Sequence, residues 1–218
     1  MFIGHFAVAF AAKRAAPRTS LAVTFVAAQF ADMLWPIFLL LGWEQVRIAP
    51  TGNPFLTLQF TRYPWSHSLE MNVLWAVVFG IAYYGVTRNA NGAAIVPLVV
   101  MSHWVLDLVT HRPDLPLSPT GLSRAGLGLW NYPAVTIVLE CAMLAAGVAI
   151  YARTTRPRDR YGRLGLWALV AFLLALYGAS LVSPPPPSVK ALALAGLIGW
   201  PLSLFPWWVD RHRQAASG

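Results

Sequence analysis

Six long apolar runs divide this chain, and they constrain its fold more than any other feature. They cover residues 21–41, 69–86, 93–110, 132–151, 164–182 and 189–209. A helix needs about 20 mainly apolar residues to cross the hydrocarbon core of a bilayer. Because backbone polar groups in that core must bond within their own segment, helices are the expected form. The sequence therefore predicts an all-α polytopic membrane helix bundle with about six transmembrane helices.

The composition agrees with this prediction. Of the 218 residues, 57% are hydrophobic and only 11% are charged, whereas soluble proteins average about 25% charged residues. We find no internal repeat at solenoid periods and no inverted repeat of the transporter kind. We therefore expect a single integral membrane domain over residues 1–218.

A further apolar run at residues 4–12 is too short to cross a bilayer. It is expected to form either half of a span or an interfacial helix. Since it lacks the charged start, the longer apolar segment and the small-residue cleavage site of a signal peptide, we expect it to be retained.

The net charge of +8 is explained better by membrane topology than by nucleic-acid binding. If the first full span runs outward, the basic residues divide 11 to 5 in favour of the cytoplasmic side, as the positive-inside rule expects. We therefore predict a multi-pass protein of the inner (plasma) membrane with a cytoplasmic C-terminus. The cytoplasmic set is Lys13, Arg14, Arg18, Arg88, Arg153, Arg156, Arg158, Arg160, Arg163, Arg211 and Arg213, and the outer set is Arg47, Arg62, Arg112, Arg124 and Lys190.

The basic run at residues 153–163 is interpreted as an anchor near anionic lipid headgroups. No aromatic-interleaved basic motif accompanies it, so nucleic acid is not expected as a partner. Membrane lipids are the expected partners, and no protein partner is indicated. A single cysteine, Cys141, lies within an apolar run and leaves no intrachain disulfide to form.

Ionisable residues inside the apolar segments are costly and by default face a partner, a cavity or a functional site. They are concentrated in the first half of the chain, so we expect residues 1–120 to carry a site and residues 121–218 to be mainly scaffold. The residues within apolar segments are His5, Asp32, His103, Asp107 and Glu140, while His67 and His111 lie at predicted outer helix ends.

The helix rise of about 1.5 Å per residue places these groups at similar depths. Asp32 lies roughly 14 Å below the outer end of its span, and His103 about 10 Å below the end of its own. His5 lies roughly 12 Å above the inner side if its short run is a half-span. The groups could therefore meet in one pocket between the bilayer centre and the outer face.

His103 and Asp107 share a helix face one turn apart. His111 continues that face if the helix persists, although the sequence HRPD predicts that the helix ends there. An imidazole and a carboxylate in this arrangement can reach one divalent ion, and the carboxylate can bridge a second. Nitrogen and oxygen donors without thiolates suit zinc better than manganese or iron.

Structural explanations remain open for the individual residues. His67 could cap a helix start between two serines, and His5 could extend toward the membrane surface. His103 and Asp107 could form a hydrogen bond between helices. Glu140 could join the same network or stay protonated.

Four motifs together resemble the YdjM-like family of membrane-bound proteins regarded as metal-dependent hydrolases. They are GH at residues 4–5, FADMLWP at 30–36, SHS at 66–68 and SHWVLDLVTHRPDLPLSP at 102–119. That family is similar in turn to zinc-dependent phospholipases C and single-strand nucleases. The resemblance covers about residues 1–120 and implies one or two ions bound by His5, Asp32, His67, His103 and Asp107, with Asp107 as the bridge.

Three functions are consistent with these residues. The first is a hydrolase in which a metal-activated water attacks a phosphoester or lipid-like substrate in the outer half of the membrane. Asp107, His111 and Arg62 are its expected catalytic residues, with Arg62 or Arg112 holding a phosphate. The second is a transporter or ion-permeation protein that uses the same acids and histidines. The third is a non-catalytic protein whose cluster only joins helices.

Overall fold

The computed structural model describes residues 1–216 of the chain. Within them, helices dominate and are accompanied by three short antiparallel pairs of strands. The helices are α1 (Ile3–Ala15), α2 (Leu21–Ala28), α3 (Phe30–Leu40), α4 (Pro64–His67), α5 (Leu69–Thr87), α6 (Ala90–Thr110), α7 (Pro133–Thr154), α8 (Arg160–Val182), α9 (Val189–Gly196), α10 (Gly199–Leu202) and α11 (Leu204–Arg211). The strands are β1 (Gln45–Ile48), β2 (Leu58–Arg62), β3 (Leu115–Pro116), β4 (Arg124–Ala125), β5 (Thr155–Pro157) and β6 (Arg213–Ala215).

The helix count confirms the predicted polytopic all-α membrane bundle. Helices α5, α6, α7 and α8 and the broken run 189–211 are each long and apolar enough to cross a membrane. The pair α2 and α3 makes a sixth candidate span if it is counted as one. All six coincide with the apolar runs of the sequence.

Several of the spanning helices are preceded by a polar residue whose side chain accepts a hydrogen bond from a backbone N–H of the first turn. Ser68 accepts from Met71 at the start of α5, and Asn89 accepts from Gly92 at the start of α6. The Asp159 carboxylate accepts from the N–H of Gly162 at 2.8 Å. These caps satisfy amides that have no partner within the helix, and they explain why α6 and α8 begin at Ala90 and Arg160 rather than at residues 93 and 164.

Two of the predicted spans are broken rather than continuous. Helices α2 and α3 are bent by 55° relative to each other, because the backbone of Gln29 leaves the helical region with φ −104° and ψ 10°. The last span is interrupted at residues 197–198 and 203, which separates α9, α10 and α11. Hydropathy alone does not register such breaks, since each run as a whole remains apolar enough to count as one span.

The short N-terminal run forms a buried helix at the centre of the bundle. Helix α1 packs against α7, α2 and α6, and its thirteen residues reach only about 20 Å. Ile3, His5, Ala9 and Phe10 are each fully buried. Of the two predicted alternatives, the half-span fits this burial, whereas an interfacial helix would leave one face open to water.

Gly147 allows α1 and α7 to approach closely. A Cβ atom at this position would clash with the backbone carbonyl of Ala7 and lie 2.8 Å from its Cα atom. Small residues permit this kind of backbone contact between membrane helices. The fourth span therefore holds α1, and with it His5, against the centre of the bundle.

A buried ionic network joins the two halves of the chain at the end of the bundle remote from His5. The Lys13 ammonium donates to the Asp210 carboxylate at 2.9 Å and to the carbonyl of Thr19 at 2.7 Å. Asp210 also accepts from the Tyr151 hydroxyl at 2.9 Å and from the Leu21 amide at 3.0 Å. The predicted scaffold half is thus connected directly to α1 and α2.

At the opposite end, irregular segments and short strands cover the bundle. Strands β1 and β2 form an antiparallel hairpin with a register shift between Gln45 and Val46. Val46 is buried in a small cluster with Leu39 of α3 and Ala193 of α9. Strand β2 leads directly into Tyr63 and α4, and α4 packs against α3.

Candidate metal centre

Four separate elements bring ionisable side chains together near this covered end. His5 comes from α1, Asp32 from α3, His67 from α4, and His103 and Asp107 from α6. Four of these residues are at most 3% exposed, whereas the Asp32 side chain is 40% exposed. The cluster is therefore buried on most sides and open beside Asp32.

Asp107 is the centre of the cluster. Its Oδ1 atom lies 3.2 Å from Nε2 of His5, and its Oδ2 atom lies 3.2 Å from Nε2 of His103. Nε2 of His67 and Nε2 of His111 each lie 3.8 Å from Oδ2. One carboxylate thus faces four imidazole nitrogens. Three of them come from α1, α4 and α6, and the fourth comes from His111, which directly follows α6.

Asp32 completes a second donor group beside the first. Its Oδ1 atom lies 3.3 Å from Nε2 of His67 and 3.8 Å from Nε2 of His103. The sets His5, His103, Asp107 and Asp32, His67, His103 each place their donor atoms within 4.8 Å of one another. Buried nitrogen and oxygen donors at this spacing could hold a metal ion.

The helix break at Gln29 contributes to the site. Nδ1 of His103 lies 2.8 Å from the carbonyl oxygen of Ala28, the last residue of α2. Because this nitrogen donates to a carbonyl, the lone pair of the ring is left on Nε2. Nε2 is buried without a hydrogen-bond partner and faces the carboxylates.

His67 is oriented by a chain of polar groups. Its Nδ1 atom lies 2.6 Å from Oγ of Ser66, which donates to Oε2 of Glu44 at 2.7 Å. Glu44 also accepts from the Ser66 amide at 2.8 Å. Burial raises the pKa of the Glu44 carboxyl, while His67 and the Ser66 hydrogen bonds oppose that shift. Since the Ser66 hydroxyl donates its hydrogen to Glu44, its oxygen accepts a hydrogen bond from Nδ1–H of His67, and Nε2 of His67 presents its lone pair to the cluster.

His111 follows the same pattern from just beyond the end of α6. Its Nδ1 atom lies 3.0 Å from the Asp114 carboxylate, which also accepts from the Tyr63 hydroxyl at 3.2 Å. Burial lowers the pKa of His111 and so favours the neutral imidazole. Burial and Asp114 raise the pKa of Tyr63 well above its usual value, which keeps it a phenol. Outer hydrogen bonds of this kind commonly orient metal-ligating histidines.

A glycine-containing loop closes over this end of α6. Gly126 has a φ of 155°, and a side chain there would clash with the carbonyl of Arg112. The following residues bond back to α6, with the Leu127 amide 2.8 Å from the Leu108 carbonyl. The Trp130 ring then lies 4.2 Å from the His111 ring, measured between centroids. This packing keeps His111 buried although the helix has already ended.

The donor chemistry suits a cation. Both ring nitrogens of His5 and Nε2 of His103 are buried without a hydrogen-bond partner in the described part of the chain. Buried polar atoms of this kind are costly unless something binds them. The Met1 amino nitrogen also contacts Oδ1 of Asp107 and lies 3.3 Å from Oγ1 of Thr110.

The structure brings together every residue that the sequence analysis placed at the metal, and His111 joins them. The predicted helix end at Thr110 is confirmed, yet His111 still turns its ring toward Asp107. Arg62 is not among the residues in contact with the cluster: it is the exposed last residue of β2. Arg112 is partly exposed, and no hydrogen bond of its side chain occurs within residues 1–216.

Glu140 has a separate role that its sequence position left open. Its Oε2 atom accepts from the backbone N–H groups of Phe2 at 2.8 Å and Gly4 at 3.1 Å. It therefore caps the first turn of α1, where amides have no partner within the helix. Glu140 supports the position of His5 from outside the donor groups.

Sequence reasoning missed Glu44, Ser66, Tyr63 and Asp114, which orient the histidines. Ser66 and Asp114 have local signals, since one precedes His67 directly and the other follows His111 by three positions. Glu44 lies 22 positions before Ser66, across the β1–β2 hairpin. No spacing rule connects these two residues.

No protein-family model, curated protein or solved structure matches the chain. The chemistry of the donor atoms is therefore the basis for interpreting the site.

Proposed function

We propose that this membrane protein is a metal-dependent hydrolase whose ion is held by the cluster around Asp107. The observation that carries the proposal is the direction of the imidazoles. For His67, His103 and His111, Nδ1 is bonded on the outside and Nε2 lies 3.2 to 3.8 Å from Asp107. A set of nitrogen and oxygen donors without thiolate favours zinc.

The donor arrangement accommodates one or two ions. His103 belongs to both donor groups, but only its Nε2 is available because Nδ1 bonds to Ala28. It can therefore serve one ion at a time. Asp107 presents Oδ1 toward His5 and the Met1 amino group, and Oδ2 toward His67, His103 and His111, so its two oxygens could serve two ions.

An ion held in this cluster would lower the pKa of bound water toward about 7 and polarise a scissile oxygen. The protein's own contribution is to exclude water from all sides except that of Asp32. This carboxylate is the donor that an incoming molecule meets first, since it alone of the cluster is substantially exposed. Nε2 of His111 lies 3.8 Å from Oδ2 of Asp107 and would be a further nitrogen donor to the ion.

A phosphoester or lipid-like ester is the proposed substrate class. The support is the resemblance of the motifs at residues 4–5, 30–36, 66–68 and 102–119 to the YdjM-like proteins, together with the depth of the cluster near one end of the spans. An amphiphilic substrate can remain in the bilayer while its polar part reaches Asp32.

Hydrolysis is favoured over ion permeation by what fills the rest of the bundle. Between the cluster and Lys13, the interior contains the apolar side chains of Phe10, Leu21, Phe25 and Val96, all at most 5% exposed. A permeation path needs polar or hydrated groups along its length. Access to the cluster is accordingly expected from one side only.

The test is metal analysis and phosphoesterase assay of the purified full-length protein beside Asp107→Asn. We expect bound zinc in the wild type, and we expect the variant to lose both the metal and the turnover. Glu70→Gln is the matched control, because Glu70 is an exposed acid at the start of α5 and should leave both unchanged. Full turnover in Asp107→Asn would refute the proposal that the Asp107 cluster catalyses hydrolysis. Asp32-dependent cation uptake into liposomes would indicate transport instead.

A further inference from the structure

A polar cleft lies next to the metal centre and is separate from it. It has a volume of about 270 Å³ and is lined by the end of β2, the start of α4 and residues of the segment 114–124. Two arginines, Arg62 and Arg124, contribute to its wall. The cleft lies just beyond residues 69 and 110, where α5 begins and α6 ends, so it is at the level of lipid headgroups.

Neither arginine of the cleft forms an ion pair with an acid in the described residues, so both positive charges can interact with a ligand. Arg62 makes no hydrogen bond or ion pair through its side chain within residues 1–216. Arg124 is held in place by the carbonyls of Thr61 at 3.1 Å and Gly121 at 3.3 Å. Those bonds use only two of its five N–H groups, and neither involves an acid. A guanidinium held by two carbonyls beside a second one whose N–H groups are unused in the described residues suits a phosphate, which accepts paired N–H donors.

One acid also lines the cleft, but it is already engaged. Asp114 accepts from the Tyr63 hydroxyl and from Nδ1 of His111, and its side chain is 19% exposed. Two cations against one hydrogen-bonded carboxylate leave a net positive cleft. We propose that this cleft binds the phosphate group of a small molecule or lipid headgroup through Arg62 and Arg124.

The cleft shares a wall with the metal centre. Asp114 and Tyr63 line the cleft and also contact His111, whose other nitrogen faces Asp107. The His111 ring therefore lies between the cleft and Asp107. The binding itself does not depend on hydrolysis, so the proposal stands whether or not the metal centre acts on the bound molecule.

The test is isothermal titration calorimetry of the full-length protein in a non-ionic detergent. The probes are dihexanoyl phosphatidic acid and inorganic phosphate, and the variants are Arg62→Gln and Arg124→Gln. We expect each variant to bind phosphatidic acid at least about tenfold more weakly, as the loss of a charge-assisted bond implies. Arg47→Gln is the control, because Arg47 is exposed on the same hairpin outside the cleft and should bind as the wild type does.

The results distinguish a free phosphate group from a lipid headgroup as the ligand. They also test the phosphate cleft separately from the proposed hydrolase. Arginine-dependent binding of both probes identifies the phosphate group itself as the ligand, and such binding of phosphatidic acid alone identifies a lipid headgroup. Wild-type affinity in Arg62→Gln, equal loss in Arg47→Gln, or no binding to the wild-type protein would overturn the proposal. The Arg62 side chain has no hydrogen-bond or ion-pair partner in the described part of the chain, so its replacement removes no such contact there. Metal content measured on the same samples reports the metal centre independently.

Discussion

The Glu140 carboxylate on α7 accepts a hydrogen bond from the backbone amide of Gly4 on α1, at 3.1 Å. Gly4 directly precedes His5, whose Nε2 lies 3.2 Å from Asp107. The fourth span thus holds the start of α1 at the height where His5 meets the cluster. A residue outside the donor groups therefore takes part in building the site.

Replacing Glu140 by leucine should weaken metal binding although Glu140 is not a proposed ligand. Without an acceptor for the amides of Phe2 and Gly4, the first turn of α1 loses its cap. Loss of an outer-shell partner typically lowers metal affinity about 10- to 100-fold. Zinc titration in the presence of a competing chelator measures this change.

Glu140→Gln distinguishes the cap from direct ligation. Glutamine keeps a carbonyl oxygen that can accept the same N–H groups, so this variant should retain most of the wild-type affinity. Equal losses in Glu140→Gln and Glu140→Leu would mean that the carboxylate itself binds the ion.

Ser66→Ala should lower zinc affinity by about 10- to 100-fold. The change removes the hydroxyl that joins Nδ1 of His67 to Glu44, so the His67 ring loses its fixed orientation. Ser68→Ala is the matched control on the other side of His67. Ser68 caps α5 through the Met71 amide, and its loss should cost about 1 kcal/mol of stability without changing the affinity. The role of Ser66 would be disproved by unchanged zinc binding in Ser66→Ala.

Gly147→Ala should destabilise the protein by about 1–3 kcal/mol, the usual cost of overpacking. The added methyl group meets the backbone of Ala7, which cannot move aside as a flexible side chain can. Thermal unfolding in detergent measures the effect. Gly178→Ala serves as the control because, apart from the adjacent backbone of α8 itself, no atom of residues 1–216 lies within 4 Å of a Cβ at that position. A comparable loss in both variants would show that helix glycines matter here for a reason other than the α1–α7 contact.

Lys13→Met should cost about 3–5 kcal/mol, because it leaves the Asp210 carboxylate without its buried partner. Lys13 is 5% exposed and bonds to Asp210 at 2.9 Å. The double variant Lys13→Met with Asp210→Asn should recover part of the loss in thermal stability, since no unpaired charge remains. Lys190→Met, at an exposed position of α9, should be nearly neutral. A single Lys13 variant as stable as the wild type would contradict a structural role for this pair.

Local patterns in the sequence determined the membrane bundle and one edge of the site. The apolar runs specify spans because hydrocarbon requires about 20 apolar residues regardless of neighbours. The four-residue interval between His103 and Asp107 specifies a shared helix face because 3.6 residues make one turn. The sequence HRPD specifies the end of α6 because proline restricts the residue before it. Each of these inferences depends only on residues within one segment.

Only the tertiary structure decided which distant groups meet. The bend at Gln29 lies beside the Ala28 carbonyl that orients His103, and the β1–β2 hairpin brings Glu44 to Ser66. Gly147 and Glu140 of α7 determine where α1 places His5. These relationships join residues up to 140 positions apart, as Ala7 and Gly147 are. They depend on how the helices pack, and the hydropathy of one segment carries no information about which distant segment lies against it.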